Sequence, residues 1–183
     1  MIMIVIAALC LITVPLTGGS MSRLGDLQLR WIWLAPVALG LQVLIITIAP
    51  GGNVTLHALV HISTYVLIGL FLWRNRTIAG ARIIGLGAAA NTTAIVANGG
   101  VMPASLTAQR LAGLTEGAGF HNSGVLLHPH LLWLGDIIPI PGPLPNVLSV
   151  GDCFIFVGML VLLHRTTHKR PVHLVPIDGR DAP

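Results

Sequence analysis

Side chains able to bind or transfer anything are few in this sequence, and most lie in apolar surroundings. His57 and His61 share one apolar run, Gln42 and Asn91 lie in two others, and His121, His128, His130, Asp136 and Asp152 follow in one long stretch. His57 and His61 are spaced i, i+4, so on a helix they share a face. Imidazole ligates zinc, copper and iron, and its N–H donates to a carbonyl. Gln42, His57, His61 and Asn91 are therefore candidates to hold a cofactor such as a haem or a quinone head group. These would line a polar cavity open to the outside, with His121, His128, His130, Asp136 and Asp152 as candidate metal ligands at its mouth. His128-Pro129-His130 adds two imidazoles, but no spacing matches a known metal signature. The plain alternative is that these groups hydrogen-bond across helices and do no chemistry. The sequence has no Ser-His-Asp order, HExxH, phosphate loop or spaced carboxylate pair, which disfavours an enzyme.

The elements that must position these groups are apolar. Of 183 residues, 54% are hydrophobic and 9% charged, far less charge than a water-soluble domain carries. The formal charge of +4 comes from arginines at the ends of apolar runs, with no basic patch interleaved with aromatics, so nucleic acid is not an expected partner. Cys10 and Cys153 lie inside apolar runs and read as small buried hydrophobes.

The runs predict an all-α integral membrane protein with five transmembrane helices, at about 1–17, 31–49, 54–73, 83–97 and 147–164. The first run lacks a basic leader and a small-residue cleavage site, so it is expected to be a retained helix. The fourth is rich in small residues, including Gly85, Gly87, Ala88 and Ala94, which suits close helix packing. Five spans put Arg23, Arg30, Arg74, Arg76, Arg82, Arg165, Lys169, Arg170 and Arg180 on one side and Arg110 alone on the other. The excess of basic residues marks the cytoplasmic side, which places the N-terminus outside and the 165–183 tail in the cytoplasm. Trp31, Trp33 and Trp73 then form an aromatic belt at the inner interface.

Between the fourth and fifth helices lies a long Pro/Gly-rich extracytoplasmic segment, 98–146. Gly99 and Gly100 can end the fourth helix, and Pro103 prevents its resumption. Pro139, Pro141, Pro143 and Pro145 alternate with apolar residues and favour polyproline geometry, so 137–146 is expected to be ordered outside regular secondary structure. Such backbone cannot face lipid and must pack as an interfacial or re-entrant lid. Asn146 or Ser149 can cap the fifth helix, Ser149 with Asp152 as a capping box. Gly-Asp recurs at 25–26, 135–136 and 151–152, which suits turns or caps rather than a repeat.

Three motifs, NGGVMP at 98–103, HLLWLGDIIPIP at 130–141 and PNVLSVGD at 145–152, resemble a bacterial family of small polytopic membrane proteins known only as a domain of unknown function. The resemblance covers most of the chain, supports five spans in the bacterial cytoplasmic membrane, and implies no activity. The expected function is a non-enzymatic accessory or scaffold subunit, partnered by the lipid bilayer and by other membrane subunits or copies of itself. One alternative is a redox protein binding a metal, haem or quinone at the His-rich outer half. A small-solute transporter is the other, against which stands the lack of polar residues in the inner half.

Overall fold

The computed structural model describes residues 2–48, 54–114 and 123–168. Backbone amides in an apolar run find their best partners in one another, and five of the six α-helices occupy the apolar runs. These are α1 (Ile2–Leu16), α2 (Leu34–Ile48), α3 (Val54–Arg74), α4 (Ala81–Ala97) and α6 (Val150–Thr167), with a short α5 (Leu106–Ala112) between the last two. Helix α2 starts later than its apolar run because Trp31 takes the left-handed conformation, with φ of 55°, in a turn closed from Leu34 N–H to the Trp31 carbonyl. Helix α6 starts at Val150 because the preceding residues pair as a strand.

The chain is mostly helical. By length and composition one described helix, Val150–Thr167, could cross a membrane, and the other apolar helical stretches, Val5–Leu16, Leu34–Ile45, Leu59–Arg74 and Ala81–Ala97, are shorter. The outward faces of these helices are apolar: Leu9, Ile12, Leu39, Val43, Leu59 and Leu86 are all exposed. Small and polar side chains, among them Ala94, Thr64, Asn91 and Asp152, lie inside together with larger apolar ones such as Val14, Ile95 and Leu163.

The closest helix pairing is α4 against α6. A Cβ on Gly87 would fall on the Gly151 carbonyl, and one on Gly80 on the Gly158 carbonyl. The reversed order of these pairs makes the helices antiparallel, and the seven-residue spacing on each keeps both glycines near one face. Gly80 also has φ of 85°, so it cannot readily be replaced even where space exists. Helix α1 lies parallel to α6. Thr13 bonds His164 at 2.9 Å, Thr17 bonds His168 at 3.2 Å, and the two imidazoles stack 5.2 Å apart.

Side-chain clamps fasten the helix ends. Arg23 donates to the Thr167 carbonyl at the end of α6. Asn75, just past α3, grips the backbone of Arg30 through both amide atoms at 2.8 Å. Arg23, Arg30, Arg74, Arg76, Arg82 and Arg165 thus gather at the end where α1, α3 and α6 finish and where α2 and α4 begin.

The opposite end carries the long segment. Gly99 and Gly100, with φ of 66° and 98°, reverse the chain after α4, and Gly100 N–H returns to the Ile95 carbonyl. Asn98 repeats the Asn75 device, holding the His130 backbone through two 2.8 Å bonds. Strand β1 (Met102–Pro103) pairs in parallel with β2 (Ser123–Gly124). Ser105 caps α5 by accepting from Ala108 N–H, and Gly113 ends it with φ of 80°.

The expectation for 137–146 needs correction. Strands β3 (Asp136–Ile140) and β4 (Asn146–Ser149) form an antiparallel hairpin in which Pro139 faces Val147, and only the turn at 141–145 lies outside regular structure. A two-stranded ribbon consists only of edges, so the N–H that proline lacks can fall on an unpaired side. The expected capping box is present: Ser149 Oγ accepts from Asp152 N–H and the Asp152 carboxylate accepts from Ser149 N–H.

Candidate functional site

His61 is the most informative buried polar group, only 7% exposed on α3. Thr64 donates its hydroxyl proton to the His61 carbonyl at 2.7 Å, so its oxygen accepts from Gln42 Nε2 at 3.0 Å. The same Gln42 nitrogen lies 2.8 Å from His61 Nδ1. A nitrogen donor facing Nδ1 makes Nδ1 the acceptor, which leaves the proton of the neutral ring on Nε2. His61 Nε2 is buried and has no hydrogen-bond partner among the described residues. The site therefore offers one N–H donor in search of an acceptor, in surroundings where an unpaired donor costs about 1–3 kcal/mol.

Tyr65, one turn further along α3, meets the His61 ring edge-on with centroids 5.1 Å apart. Its phenol lies within electrostatic range of both Asp152 and Asp136, and it packs on the core formed by Ala94, Ile95 and Met102. Tyr65 was not singled out by sequence, although His57, His61 and Tyr65 continue one i, i+4 series.

Asn91 and Asp152 belong to a closed network between α4 and α6. Asn91 Nδ2 donates to Asp152 Oδ1 at 3.0 Å, and Ser149 Oγ donates to Asn91 Oδ1 at 2.9 Å. Asp152 N–H donates to Ser149 Oγ at 3.0 Å, and Ser149 N–H donates to Asp152 Oδ2 at 2.9 Å, which completes the ring. Asp152 also lies in the first turn of α6.

Asp136 stands at the start of the hairpin. Its carbonyl accepts from Ser105 N–H at 2.9 Å, and its carboxyl accepts from Ser123 Oγ at 2.6 Å. Burial pushes this carboxyl up to about 6 from an ordinary 3.8, opposed by the Ser123 bond and reinforced by the charge on Asp152. Asp136 thereby links α5, β2 and the hairpin.

The remaining candidates are scattered or lie outside the described set. His128 and His130 are exposed, and His130 engages Asn98 through its backbone. His57 lies on α3, but its side chain is outside the described set, as are residue His121 and the tail from 169. Among the described residues no group of three or more His, Cys, Asp or Glu side chains converges as a metal site would require. Sequence reasoning also passed over Thr64 and Ser123 as partners, and paired Ser149 with Asp152 but not with Asn91, because serine and threonine occur in many helices with no such role.

No curated protein and no solved structure matches the chain. Residues 26–164 match the model of the DUF5317 family, which includes α2, α3, α4, the hairpin and most of α6, so the chain belongs to this family of unknown function.

Proposed function

We propose that this chain is an integral membrane protein with five spans, oriented with its N-terminus outside and its tail in the bacterial cytoplasm. In this reading it works without catalysis, as an accessory or scaffold subunit of a larger membrane assembly. The observation that carries it is the gathering of six arginines at one end of a bundle whose outward faces are apolar. Successive helices run in opposite directions, so the grouping is not a consequence of sequence proximity. It agrees with the positive-inside rule applied to short loops. Parallel packing of α1 with α6 supports an odd number of spans, because the first and last must then run the same way.

The long segment supports the accessory role. It is fastened at Asn98, Ser105 and Asp136, yet it presents Leu127, 95% exposed, with Leu111 and Trp133 also outward. An ordered surface bearing large apolar side chains suits a partner or the membrane interface. A cysteine at position 118, in a chain without Cys10 and Cys153, should label from outside intact cells; labelling only after permeabilisation overturns the orientation. Leu127→Ser with Leu111→Ser should lower the mass of the detergent-solubilised particle with unchanged helicity. An unchanged particle mass overturns the accessory reading.

A second reading rests on the His61 N–H that has no partner among the described residues. A donor buried beside an aromatic ring suits the carbonyl of a quinone head group. Extraction of the purified protein should then yield a quinone, and His61→Phe should remove it with retention of the fold. Equal quinone content in the two proteins overturns this reading.

A further inference from the structure

Two concavities meet at Arg76, and together they have the form of a site for an amphiphile. One is a groove of about 870 Å³ between α3 and α4, floored by small residues such as Gly69, Gly85, Ala88 and Ala89. Its size lies within the roughly 300–1,000 Å³ usual for ligand sites. Thr92 and Thr93 also line it, but their hydroxyls bond back to the carbonyls of Ala88 and Ala89 at 2.7 and 2.8 Å. That leaves their methyl groups for the groove, which runs along α4 from Arg82 to Ala97, roughly 22 Å at the helical rise.

The other concavity, of about 450 Å³, is polar and lined by Arg30, Arg74 and Arg76 with Asn75 and Thr77. Arg82 stands where the groove begins and donates to the Arg76 carbonyl at 3.2 Å. Among the described residues, no carboxylate lines either concavity. Two of the guanidinium groups are held over indoles, Arg76 at 4.6 Å from the Trp73 ring and Arg74 at 5.6 Å from the Trp31 ring. Stacking occupies the flat face of a guanidinium and leaves its edge donors; Arg76 Nη1 donates to the Trp73 carbonyl at 3.0 Å, and its other N–H groups can meet an anion.

We propose that this is a binding site for an anionic phospholipid, its phosphate held by Arg74, Arg76 and Arg82 and one acyl chain lying in the α3/α4 groove. The proposal rests on the membrane reading above, in which this end faces the cytoplasmic leaflet, where anionic lipids and basic interhelical pockets meet. Charge decides the occupant: a cationic polar end joined to an apolar groove complements an anionic head on a hydrocarbon tail. A helix from a second copy would fill the groove but leave the arginines unmatched.

The test uses the full chain in detergent, mixed with phosphatidylglycerol, phosphatidylcholine or glycerol phosphate and examined by native mass spectrometry. Phosphatidylglycerol should be retained in preference to phosphatidylcholine, and glycerol phosphate should not compete at equal concentration because it lacks the chain. Arg76→Gln with Arg82→Gln should lower phosphatidylglycerol retention by roughly tenfold or more, since each lost charge-assisted hydrogen bond is worth about tenfold. Both arginines are exposed and their bonds are to surface backbone carbonyls, so the fold should survive, which unchanged helicity by circular dichroism checks. Ala89→Leu, which fills the groove from an exposed position, should lower retention while the arginines remain. Equal retention of the two lipids, or no response to either variant, overturns the proposal. So does loss of a dimer rather than of lipid on Ala89→Leu. Carbonate washing of membranes holding the same proteins separates the two claims: release into the wash rejects the membrane reading itself, whereas retention without lipid preference rejects the lipid site alone.

Discussion

Between α4 and α6, Asn91, Ser149 and Asp152 close a ring in which every bond has a donor and an acceptor. Between α2 and α3, Gln42, Thr64 and His61 form a similar cluster that leaves one N–H without a partner among the described residues. Each cluster joins a carboxamide, a hydroxyl and one titratable side chain between two helices, and all of these are buried except the half-buried Gln42. Satisfaction distinguishes them. A closed network holds helices in register and needs nothing else, whereas a buried donor without a partner among the described residues calls for an explanation of its own. The glycine seam beside the closed ring makes the same distinction in packing, since α4 and α6 touch backbone to backbone while α3 and α4 leave a groove.

The sharpest way to break this comparison is to push the seam apart. Gly87→Val places a branched side chain against the Gly151 carbonyl and the Ile155 side chain. It should cost about 3 kcal/mol or more, because neither backbone can yield without moving its whole helix. Thermal unfolding in detergent and the yield of monodisperse protein read the effect. Next in size is Asn91→Leu, which strips a partner from both Asp152 and Ser149 and should cost about 2 kcal/mol as buried polar atoms go unpaired. If Asn91→Leu is neutral, the ring is not what holds α4 to α6.

Much of the bundle was legible because apolar runs allow only one inexpensive backbone solution, and the helix limits followed wherever Gly, Pro or a cap was decisive. The capping box at Ser149 and Asp152 and the chain reversal at Gly99 and Gly100 both depend on local geometry, and both were readable. The hairpin was not. Its pairing joins Asp136 to Ser149 across thirteen positions, and alternating prolines carry no mark that distinguishes an edge strand from a polyproline stretch. The site was half legible. His61 and Gln42 stood out as costly polar groups, but their pairing across nineteen positions, and the protonated Nε2 that follows from Thr64, needed coordinates. Gly151 and Gly158 show the same limit, because a seven-residue glycine spacing has meaning only when the facing helix is known.

Asp136 gives the comparison a dependence on pH. Its carboxyl titrates near 6 in the folded chain and near 3.8 as an ordinary side chain, so the fold binds the proton more tightly than the unfolded chain does. The resulting stabilisation is fully present below about 4 and is lost as pH rises through about 6. Two units set a ceiling of about 3 kcal/mol, and partial exposure of the lid reduces this to roughly 1. Asp136→Asn should flatten the pH dependence between 4 and 6, read by hydrogen exchange in 136–149, and should leave the α4/α6 seam unchanged. A dependence that survives in Asp136→Asn assigns the titration to another group.

The smallest expected change in stability is at His61, and this sets it apart most clearly from Asn91. His61→Phe removes the acceptor for one Gln42 N–H, worth about 1 kcal/mol, but it also removes the buried N–H that has no partner among the described residues. The two effects oppose each other. Gln42 keeps Thr64 as a partner, and phenylalanine keeps the edge-on contact with Tyr65. The melting temperature of the ligand-free protein should therefore scarcely move, while any bound quinone is lost. A melting temperature that falls as far as that of Asn91→Leu shows His61 to be a member of a closed structural network like the other one, and the ligand reading of α2 and α3 then fails.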